Sequence, residues 1–470
     1  MKNQLIALMF VCCLGLLNGQ NLKPEMLFPD TMRSLNDTVY FTSPEWDDVM
    51  KFSFINNDSI DWGTYGYKGV YFEVWTDQDT LTIPHVNHPY EQIIRIPVAS
   101  AKDTTTILLS FQSTSNGDFS NAYITKNQNK STVEIPEVYE LANIILYLSD
   151  CSKNTFNHPN TAYAKRVLEH FAPVKNHPLI KILNKKCLNN AFATYYGFRE
   201  NSICFSIEDD HLEYNTEYKD VFSDDAFMDG GNFRNMLYLV HDFMDQSNFR
   251  SFFKTNQAYY DQLVKRQREL LPLKKMWTWL EGKFPQKMDS YKIVFSPLIG
   301  GSHSTQRFTR GYFTHPDFQE CVMFINSTES IDSNSQYSEK IKEGLMSGIV
   351  FTEIDHNYVN PTSGENYPLV KELMSDKDFW ATKQAQQNYP NEYAIFNEYM
   401  THSVFCFYVT ENYDSKTAEE IVKKRVQLME RRGYPKFKDF NTILLEFMKG
   451  NSKTIYDSYA DLIQEMKQIR

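Results

Sequence analysis

One short segment of this 470-residue sequence combines residue types that can activate water on a metal ion. In the run Thr-Glu-Ile-Asp-His at residues 352–356, a helix would place Thr352, Glu353 and His356 on one face. Zinc peptidases with the motif His-Glu-x-x-His use both histidines as ligands and the glutamate as the base that deprotonates metal-bound water. The spacing predicts His356 as a ligand and Glu353 as the base, but Thr352 occupies the first ligand position.

A second pair of candidate ligands lies on the next long predicted helix. Glu398 follows His356 by 42 residues, and His402 lies four residues beyond Glu398. Residues four apart on a helix share a face. Catalytic zinc sites with two histidines and one glutamate take three protein ligands, and a carboxylate from a following helix can be the third. Glu398 and His402 are therefore predicted metal ligands.

Thr352 leaves three interpretations of this site open. In the first, His402 restores the missing ligand, or His303 in the Gly-Gly-Ser-His turn does so. In the second, Glu353 is a ligand, and an oxygen-rich Glu/His/Glu site holds zinc, iron or manganese. In the third, the site has lost its metal and keeps a substrate-binding or structural role. Even changes beyond the direct ligands cost roughly 10–100-fold in metal affinity, so losing a ligand should cost more.

Several segments of the chain also carry a family resemblance. They are residues 133–142, 169–178, 296–301 and 353–361, and the pair Asn397-Glu398. These segments resemble the uncharacterised secreted Bacteroides-type proteins catalogued as domain of unknown function 4932, over residues 130 to 410. Members with His-Glu-x-x-His followed by an aromatic residue and Asn-Pro look like gluzincin-type metallopeptidases. The resemblance implies zinc as cofactor, Glu353 as base, His356 and Glu398 as ligands, and a peptide or protein substrate.

Two further residues are candidates for substrate binding. His303 follows a predicted strand and, in the gluzincin-like picture, lies where a peptide-aligning edge would be. Tyr358 could donate a hydrogen bond to a developing oxyanion. The structural alternatives are a loop histidine without a ligand and an aromatic side chain that packs at the end of a helix.

Hydrophobic periodicity indicates the elements that must position these residues. From residue 38 to 127, short strand-like runs separated by Asn, Asp, Gly and Pro clusters predict strands. Beyond residue 130, helical periodicity dominates. Near the site, the pattern predicts strands at 291–298 and 321–326 and helices at 338–357, ended by Pro361, and at 390–408. The predicted class is α+β, with an N-terminal β-rich module before a mainly helical, zincin-like body with a small sheet.

Four segments follow from this pattern. They are a signal peptide at 1–20, the β-rich module at 21–130, the zincin-like domain at 131–415, and C-terminal helices at 416–470 that pack on the body. Lys2 precedes an apolar run, residues 5–17, that is too short to span a bilayer. Export to the periplasm or the extracellular space follows. Cleavage near Gly19 or Gln20 is favoured over a lipid anchor at Cys12 or Cys13, because bulky residues precede both cysteines.

Composition excludes several other classes of protein. The chain has 48 Lys and Arg against 59 Asp and Glu, a formal charge of −11, and no basic block. This argues against nucleic acid or an anionic membrane as the main partner. No segment after the signal has the roughly 20 apolar residues of a transmembrane helix. The five remaining cysteines are odd in number and widely spaced, which predicts buried apolar residues and no disulfide framework.

Two functional hypotheses follow from the sequence. The first is an exported metallopeptidase-like protein that hydrolyses amide bonds if its site holds zinc. The second is a catalytically inactive protein that keeps the fold and binds peptide or glycan in a cleft rich in Tyr and Phe.

Overall fold

The structure is a computed structural model of the full chain. It describes residues 25–27, 31–35, 38–42, 50–53, 71–84, 92–100, 104–111, 117–155, 159–215, 217–218, 233–312 and 315–469. The predicted signal peptide lies outside these ranges.

The N-terminal part is built from strands. They are β1 (Glu25–Leu27), β2 (Met32–Ser34), β3 (Thr38–Thr42), β4 (Met50–Ser53), β5 (Tyr71–Trp75), β6 (Thr80–Pro84), β7 (Gln92–Ser100) and β8 (Thr104–Phe111). One sheet has the order β1-β7-β2, with β8 paired to β7, and the other is an antiparallel sheet of order β4-β3-β5-β6. The short strand-like runs in the sequence predicted β4, β5, β7 and β8.

A mixed sheet lies within the body. Its strands, and those of a separate hairpin, are β9 (Lys130–Glu134), β10 (Phe205–Glu208), β11 (His211–Tyr214), β12 (Ser290–Ser296), β13 (Ser304–Tyr312) and β14 (His315–Asn326). The sheet order is β13-β14-β12-β9, with β12 parallel to both neighbours and β13 antiparallel to β14. The sequence predicted β12 and β14. It missed the polar edge strand β13, which borders the site.

Helices make up most of the body. They are α1 (Asn121–Asn127), α2 (Glu137–Leu148), α3 (Asp150–Thr155), α4 (Ala162–His170), α5 (Pro178–Glu200), α6 (Leu237–Gln246), α7 (Phe249–Thr255), α8 (Gln257–Leu270), α9 (Leu273–Lys283), α10 (Glu329–Asp332), α11 (Glu339–Glu365), α12 (Tyr367–Met374), α13 (Lys377–Trp380), α14 (Lys383–Asn388), α15 (Glu392–Asn412), α16 (Ser415–Arg431), α17 (Phe437–Met448) and α18 (Tyr459–Glu465). The predicted α+β class with a mainly helical body is confirmed. Within the described ranges, no helix has the length and apolarity needed to cross a bilayer.

Helices α11 and α15 pack against each other at the centre of the larger core. Ser338 caps α11 by accepting a hydrogen bond from the Ile341 amide, and Asn391 caps α15 by accepting one from the Ala394 amide. Every residue of α15 from Ile395 to Val409 is buried. Because apolar packing surrounds this helix, its polar residues are held inside the protein and must find partners there.

The prediction that Pro361 ends α11 is wrong, since the helix continues to Glu365. A proline inside a helix removes one backbone hydrogen bond and crowds the preceding turn. Side chains supply other donors to carbonyls beside it: Tyr393 Oη donates to the Asn360 carbonyl at 2.7 Å, and Thr362 Oγ1 donates to the Tyr358 carbonyl at 2.8 Å. These bonds, and the burial of the last turns, offset the cost of the proline.

The sequence predicted no disulfide framework, but one pair of cysteines is bonded. Cys151 on α3 and Cys187 on α5 are bonded, with their Cα atoms 5.5 Å apart. Cys204, Cys321 and Cys406 are free and buried, as the sequence predicted. The two cysteines are 36 residues apart, a spacing that does not by itself indicate a disulfide. The packing of α3 on α5 brings the two thiols together.

We expect replacement of both Cys151 and Cys187 by alanine to lower the free energy of unfolding by about 3–4 kcal/mol, because the unfolded chain regains the freedom of a closed loop. Chemical denaturation of oxidised wild type and the double variant would measure this. Cys406→Ala, at a buried free cysteine, is the control and should cost less. If alkylation labels Cys151 and Cys187 in denatured, unreduced protein, the disulfide assignment is incorrect.

Candidate functional site

A cleft of about 1710 Å³ opens beside the edge strand β13. Residues of α11, α15 and the C-terminal end of α16 also line it. The cleft brings together five sequence-predicted site residues and Thr352: Glu353, His356, Glu398, His402 and His303. Residues up to 99 positions apart in sequence therefore share one solvent-accessible space.

His356 and Glu398 face each other across the cleft. His356 Nδ1 lies 3.0 Å from Asn360 Oδ1, one turn further along α11, and this contact makes Nδ1 the donor. His356 Nε2 is left 3.7 Å from Glu398 Oε1. Two ligands of one tetrahedral zinc ion lie roughly 3.4 Å apart. Glu398 Oε2 lies 3.6 Å from His402 Nε2, so Glu398 has a spacing close to that of two metal ligands to each histidine.

Thr352 does not replace the histidine that the motif lacks. Its hydroxyl donates to the carbonyls of Gly348 at 3.0 Å and Ile349 at 3.2 Å, one turn back along α11. This local bond satisfies the hydroxyl within its own helix. The first ligand position of the motif thus holds a short side chain whose hydroxyl donates its proton to the backbone of α11.

The end of α16 places an arginine in the cleft. Gly433 follows the helix with a φ of 96°, a left-handed conformation that favours glycine. The amide of Tyr434 donates to the Met429 carbonyl and that of Gly433 to the Glu430 carbonyl, the two bonds of a Schellman motif. A Cβ at Gly433 would also collide with Thr382. This abrupt stop holds Arg432, the last residue before the glycine, beside Glu398.

Arg432 binds the residues that the sequence predicted as metal ligands. Its Nη2 donates to Glu398 Oε2 at 2.8 Å, and its Nη1 lies 2.8 Å from His402 Nε2. Nη2 also donates to Tyr389 Oη at 3.1 Å. Burial by itself would raise the pKa of Glu398, but Arg432 and His402 outweigh it and hold that pKa well below its ordinary value. Glu398 is an ionised carboxylate paired with a guanidinium.

A second arginine reaches the other nitrogen of His402. Arg425 Nη1 lies 2.9 Å from His402 Nδ1, so both ring nitrogens face guanidinium groups. Burial chiefly, with help from both arginines, lowers the pKa of His402 to about 3, although Glu398 acts in the opposite direction. His402 is neutral at physiological pH, and neither nitrogen is directed at an open position.

This donor set does not fit a zinc ion held by three protein side chains. Thr352 is not a ligand, His402 is enclosed by guanidinium groups, and the positive charge of Arg432 occupies the space beside Glu398. A dication placed next to Arg432 would be repelled by it. Across the described ranges, no three His, Cys, Asp or Glu side chains converge as metal ligands.

Glu353 lies in the cleft without an ion pair to either arginine among the described contacts. Burial chiefly, and then the nearby charge of Glu398, raise the pKa of Glu353 to about 8, although Arg432 lowers it. The carboxyl group is mostly protonated at pH 7 and can donate a hydrogen bond. It can also accept one, so it suits an amide ligand better than a cation.

A buried polar network supports the edge strand at this cleft. Arg199 Nη1 donates to the Ser302 carbonyl at 2.8 Å, and Glu200 accepts hydrogen bonds from Ser304 and, at 2.9 Å, from Gln306. Arg199 and Glu200 end α5 and are both fully buried. The network therefore fixes the first residues of β13 and the turn before it against the body.

His303 lies in this supported turn and lines the cleft. Burial, and then Arg199, lower its pKa to about 4, so the ring is neutral at pH 7. Its Nε2 has no hydrogen-bond partner within the part of the chain that the structure describes. Tyr358 is placed differently: it is fully buried, its hydroxyl lies 2.5 Å from that of Tyr291, and it does not line the cleft.

Sequence reasoning missed Arg425 and Arg432. A signal was present, because the two residues are seven apart, two helical turns, and therefore share a face of α16. Arg432 also directly precedes a glycine and, two residues later, a proline, which is the pattern of a helix C-terminus. That pattern does not indicate which residues this face of α16 contacts, because its partners Glu398 and His402 belong to another helix.

Comparison with known proteins adds no relative, since the chain matches no family model, no curated protein and no solved structure.

We expect Glu398→Gln to lower the free energy of unfolding by about 1–3 kcal/mol at pH 7, because it removes the charge that Arg432 and the cleft bind. The folded-state pKa of Glu398 is depressed, so its contribution is present above the unfolded value near 4 and is lost as the pH falls below it. Denaturation of wild type and variant from pH 7 to pH 3 would show the difference shrinking.

Glu446→Gln is the matched control for this prediction. Glu446 is exposed on α17, and its replacement should change stability by less than about 0.5 kcal/mol at either pH. Equal stabilities of wild type and Glu398→Gln at pH 7 would mean that the ion pair contributes nothing.

Proposed function

We propose that this protein is an exported, metal-independent binding protein that holds an extended peptide in the cleft between β13 and α11. The observation that carries the proposal is the guanidinium of Arg432 beside Glu398 and His402, where a peptidase would hold its ion. In this proposal the cleft resembles that of a peptidase, but the guanidinium of Arg432 occupies the position of the metal ion. It supports the second hypothesis from the sequence over metal-assisted hydrolysis.

The edge strand β13 supports a peptide as the ligand. It is the terminal strand of its sheet within the described ranges, and residues 304–307 line the cleft. An extended peptide can add to such an edge through backbone hydrogen bonds, while pockets bind alternate side chains. Glu353 and His303 line the same cleft, and the carboxyl group of Glu353 can make polar contacts to amide groups.

The disulfide between Cys151 and Cys187 supports export. Structural disulfides form and persist in oxidising compartments and are rare in the cytosol. This agrees with the signal peptide that the first 20 residues predict, and the proposal therefore places the protein in the periplasm or outside the cell.

A metal-dependent peptidase is the second candidate. The spacing of 3.7 Å between His356 Nε2 and Glu398 Oε1, with Glu353 in the same cleft, favours it. A bound zinc ion would supply an activated water. Among the described residues, His356 and Glu398 would hold the ion, because arginines face both ring nitrogens of His402. The position of Arg432 beside Glu398 counts against this candidate.

We expect purified protein dialysed against zinc to retain no stoichiometric metal, and chelation to leave its melting temperature unchanged. The variant Thr352→His/Arg432→Ala should gain zinc, since it restores the missing ligand and removes the competing cation. Thr352→Ala/Arg432→Ala is the matched control and should not gain it. Elemental analysis of the three proteins measures this. One zinc per wild-type chain, with chelator-sensitive peptide cleavage, would support the peptidase instead.

Peptide binding can be tested directly with a pool of randomised nonapeptides that carry a photoreactive leucine. We expect cross-links to residues 304–307 and to the cleft-facing residues of α11, equal yields with and without chelator, and intact peptides by mass spectrometry. Cross-links spread evenly over the surface, or none above background, would contradict the proposed function.

A further inference from the structure

The cleft is basic, although the chain as a whole is acidic with a formal charge of −11. Of the residues that the structure describes, two carboxylate residues line it, Glu353 and Glu398. The Lys and Arg residues that line it are Arg307, Lys424, Arg425, Arg431 and Arg432. A concave site with one sign of charge attracts ligands of the opposite sign. The preferred ligand is therefore anionic.

Arg425 lies at the floor of this cleft and is 8% exposed. Its guanidinium lies 4.6 Å above the Phe405 ring, and no carboxylate lies within ion-pair distance of it among the described residues. Gly348 makes room for it, because a Cβ there would collide with Arg425 Nη2 and with Phe405. The carboxyl groups of Asp355 and Glu398 act on Arg425 from beyond ion-pair distance. A buried guanidinium without a carboxylate at ion-pair distance is costly, so its position points to an anion supplied from outside the chain.

His402 cannot satisfy both arginines. Arg425 and Arg432 approach its two ring nitrogens at 2.9 and 2.8 Å, and each guanidinium nitrogen is a donor. A neutral imidazole has one acceptor nitrogen and a protonated one has none. At least one guanidinium thus directs an N–H at a group that cannot accept it, and a ligand oxygen would supply the missing acceptor.

Arg432 is open to such a ligand. Its side chain is 35% exposed, while Arg425 lies beneath it at the other nitrogen of His402. Glu398 is the carboxylate that binds Arg432, and Arg432 Nη1 faces only His402 and the sulfur of Met429 among the described contacts. The two guanidinium groups together present more positive charge than Glu398 neutralises.

We infer that Arg425 and Arg432 form a carboxylate-binding site at the floor of the cleft, and that the bound peptide is anchored there by a carboxylate. This inference rests on the proposed peptide-binding function and names its ligand class. Planar guanidinium groups match a carboxylate and bind it through paired, charge-assisted hydrogen bonds. The edge strand β13 favours a peptide as the source of the carboxylate over an acidic glycan.

The test compares four fluorescent nonapeptides of one sequence taken from the cross-linked pool. One has a free C-terminal carboxylate, and a second has a carboxamide. The third and fourth are both carboxamides that carry an internal Glu or Gln. Fluorescence anisotropy measures the affinities. We expect loss of the carboxylate to weaken binding roughly 10- to 100-fold, the range for hydrogen bonds to charged groups. The peptides form two carboxylate–amide pairs, one at the C-terminus and one at the internal side chain. The pair with the larger difference in affinity shows whether the bound carboxylate comes from the chain end or from a side chain.

Arg432→Gln should abolish the difference between carboxylate and amide peptides, because it removes the charge and keeps a donor for Glu398. Arg432→Lys should restore part of it. The control Lys449→Ala changes an exposed cation at the end of α17, away from the cleft, and should keep the full difference. A second test requires no variant and measures the melting temperature of the wild-type protein with succinate or with succinamide. We expect only succinate to raise the melting temperature.

The outcomes separate this inference from the proposed function. Equal binding of carboxylate and amide peptides would overturn the carboxylate site and leave peptide binding in place. No peptide binding, with stabilisation by succinate that Arg432→Gln removes, would support the carboxylate site and reject the peptide. Tighter, Arg432-dependent binding of trigalacturonate than of any peptide would reassign the ligand to an acidic glycan.

Discussion

The ion pair between Glu398 and Arg432 is the interaction on which the site depends. Glu398 is almost fully buried in α15, and Arg432 reaches it from the end of α16, with 2.8 Å between Oε2 and Nη2. A buried carboxylate is stable only when it is paired and hydrogen-bonded. The same pair orders Tyr389, faces His356 on α11 and encloses His402, so one charge links three helices around the cleft.

The packing of α11 against α15 buries Glu398, so its carboxylate needs a charged partner within the protein. Both helices are buried along most of their length, and their polar side chains point into the protein or into the cleft. Thr352 satisfies its hydroxyl within its own helix, whereas Glu398 and His402 must find partners on a neighbour. The Schellman motif at Gly433 supplies that partner by ending α16 where Arg432 meets the cleft.

In this cleft the cation beside Glu398 is a guanidinium group, whereas a metallopeptidase would hold a metal ion there. A metal ion would need open nitrogen and oxygen donors, but here guanidinium groups use those donors. Guanidinium groups cannot activate water as a Lewis acid does, but they bind carboxylates well. The supported edge strand and the basic cleft floor are the features on which the proposed binding function rests.

Local patterns in the sequence were sufficient for much of the architecture. Short strand-like runs predicted β4, β5, β7, β8, β12 and β14. Helical spacing of three and four residues predicted that Glu353 and His356 share one face and Glu398 and His402 another. Those inferences depend only on residues close in sequence. The extension of α11 past Pro361, the Cys151–Cys187 bond and the placement of Arg432 between Glu398 and His402 were decided by tertiary structure. Each depends on groups brought together by packing, and no local spacing encodes such a contact.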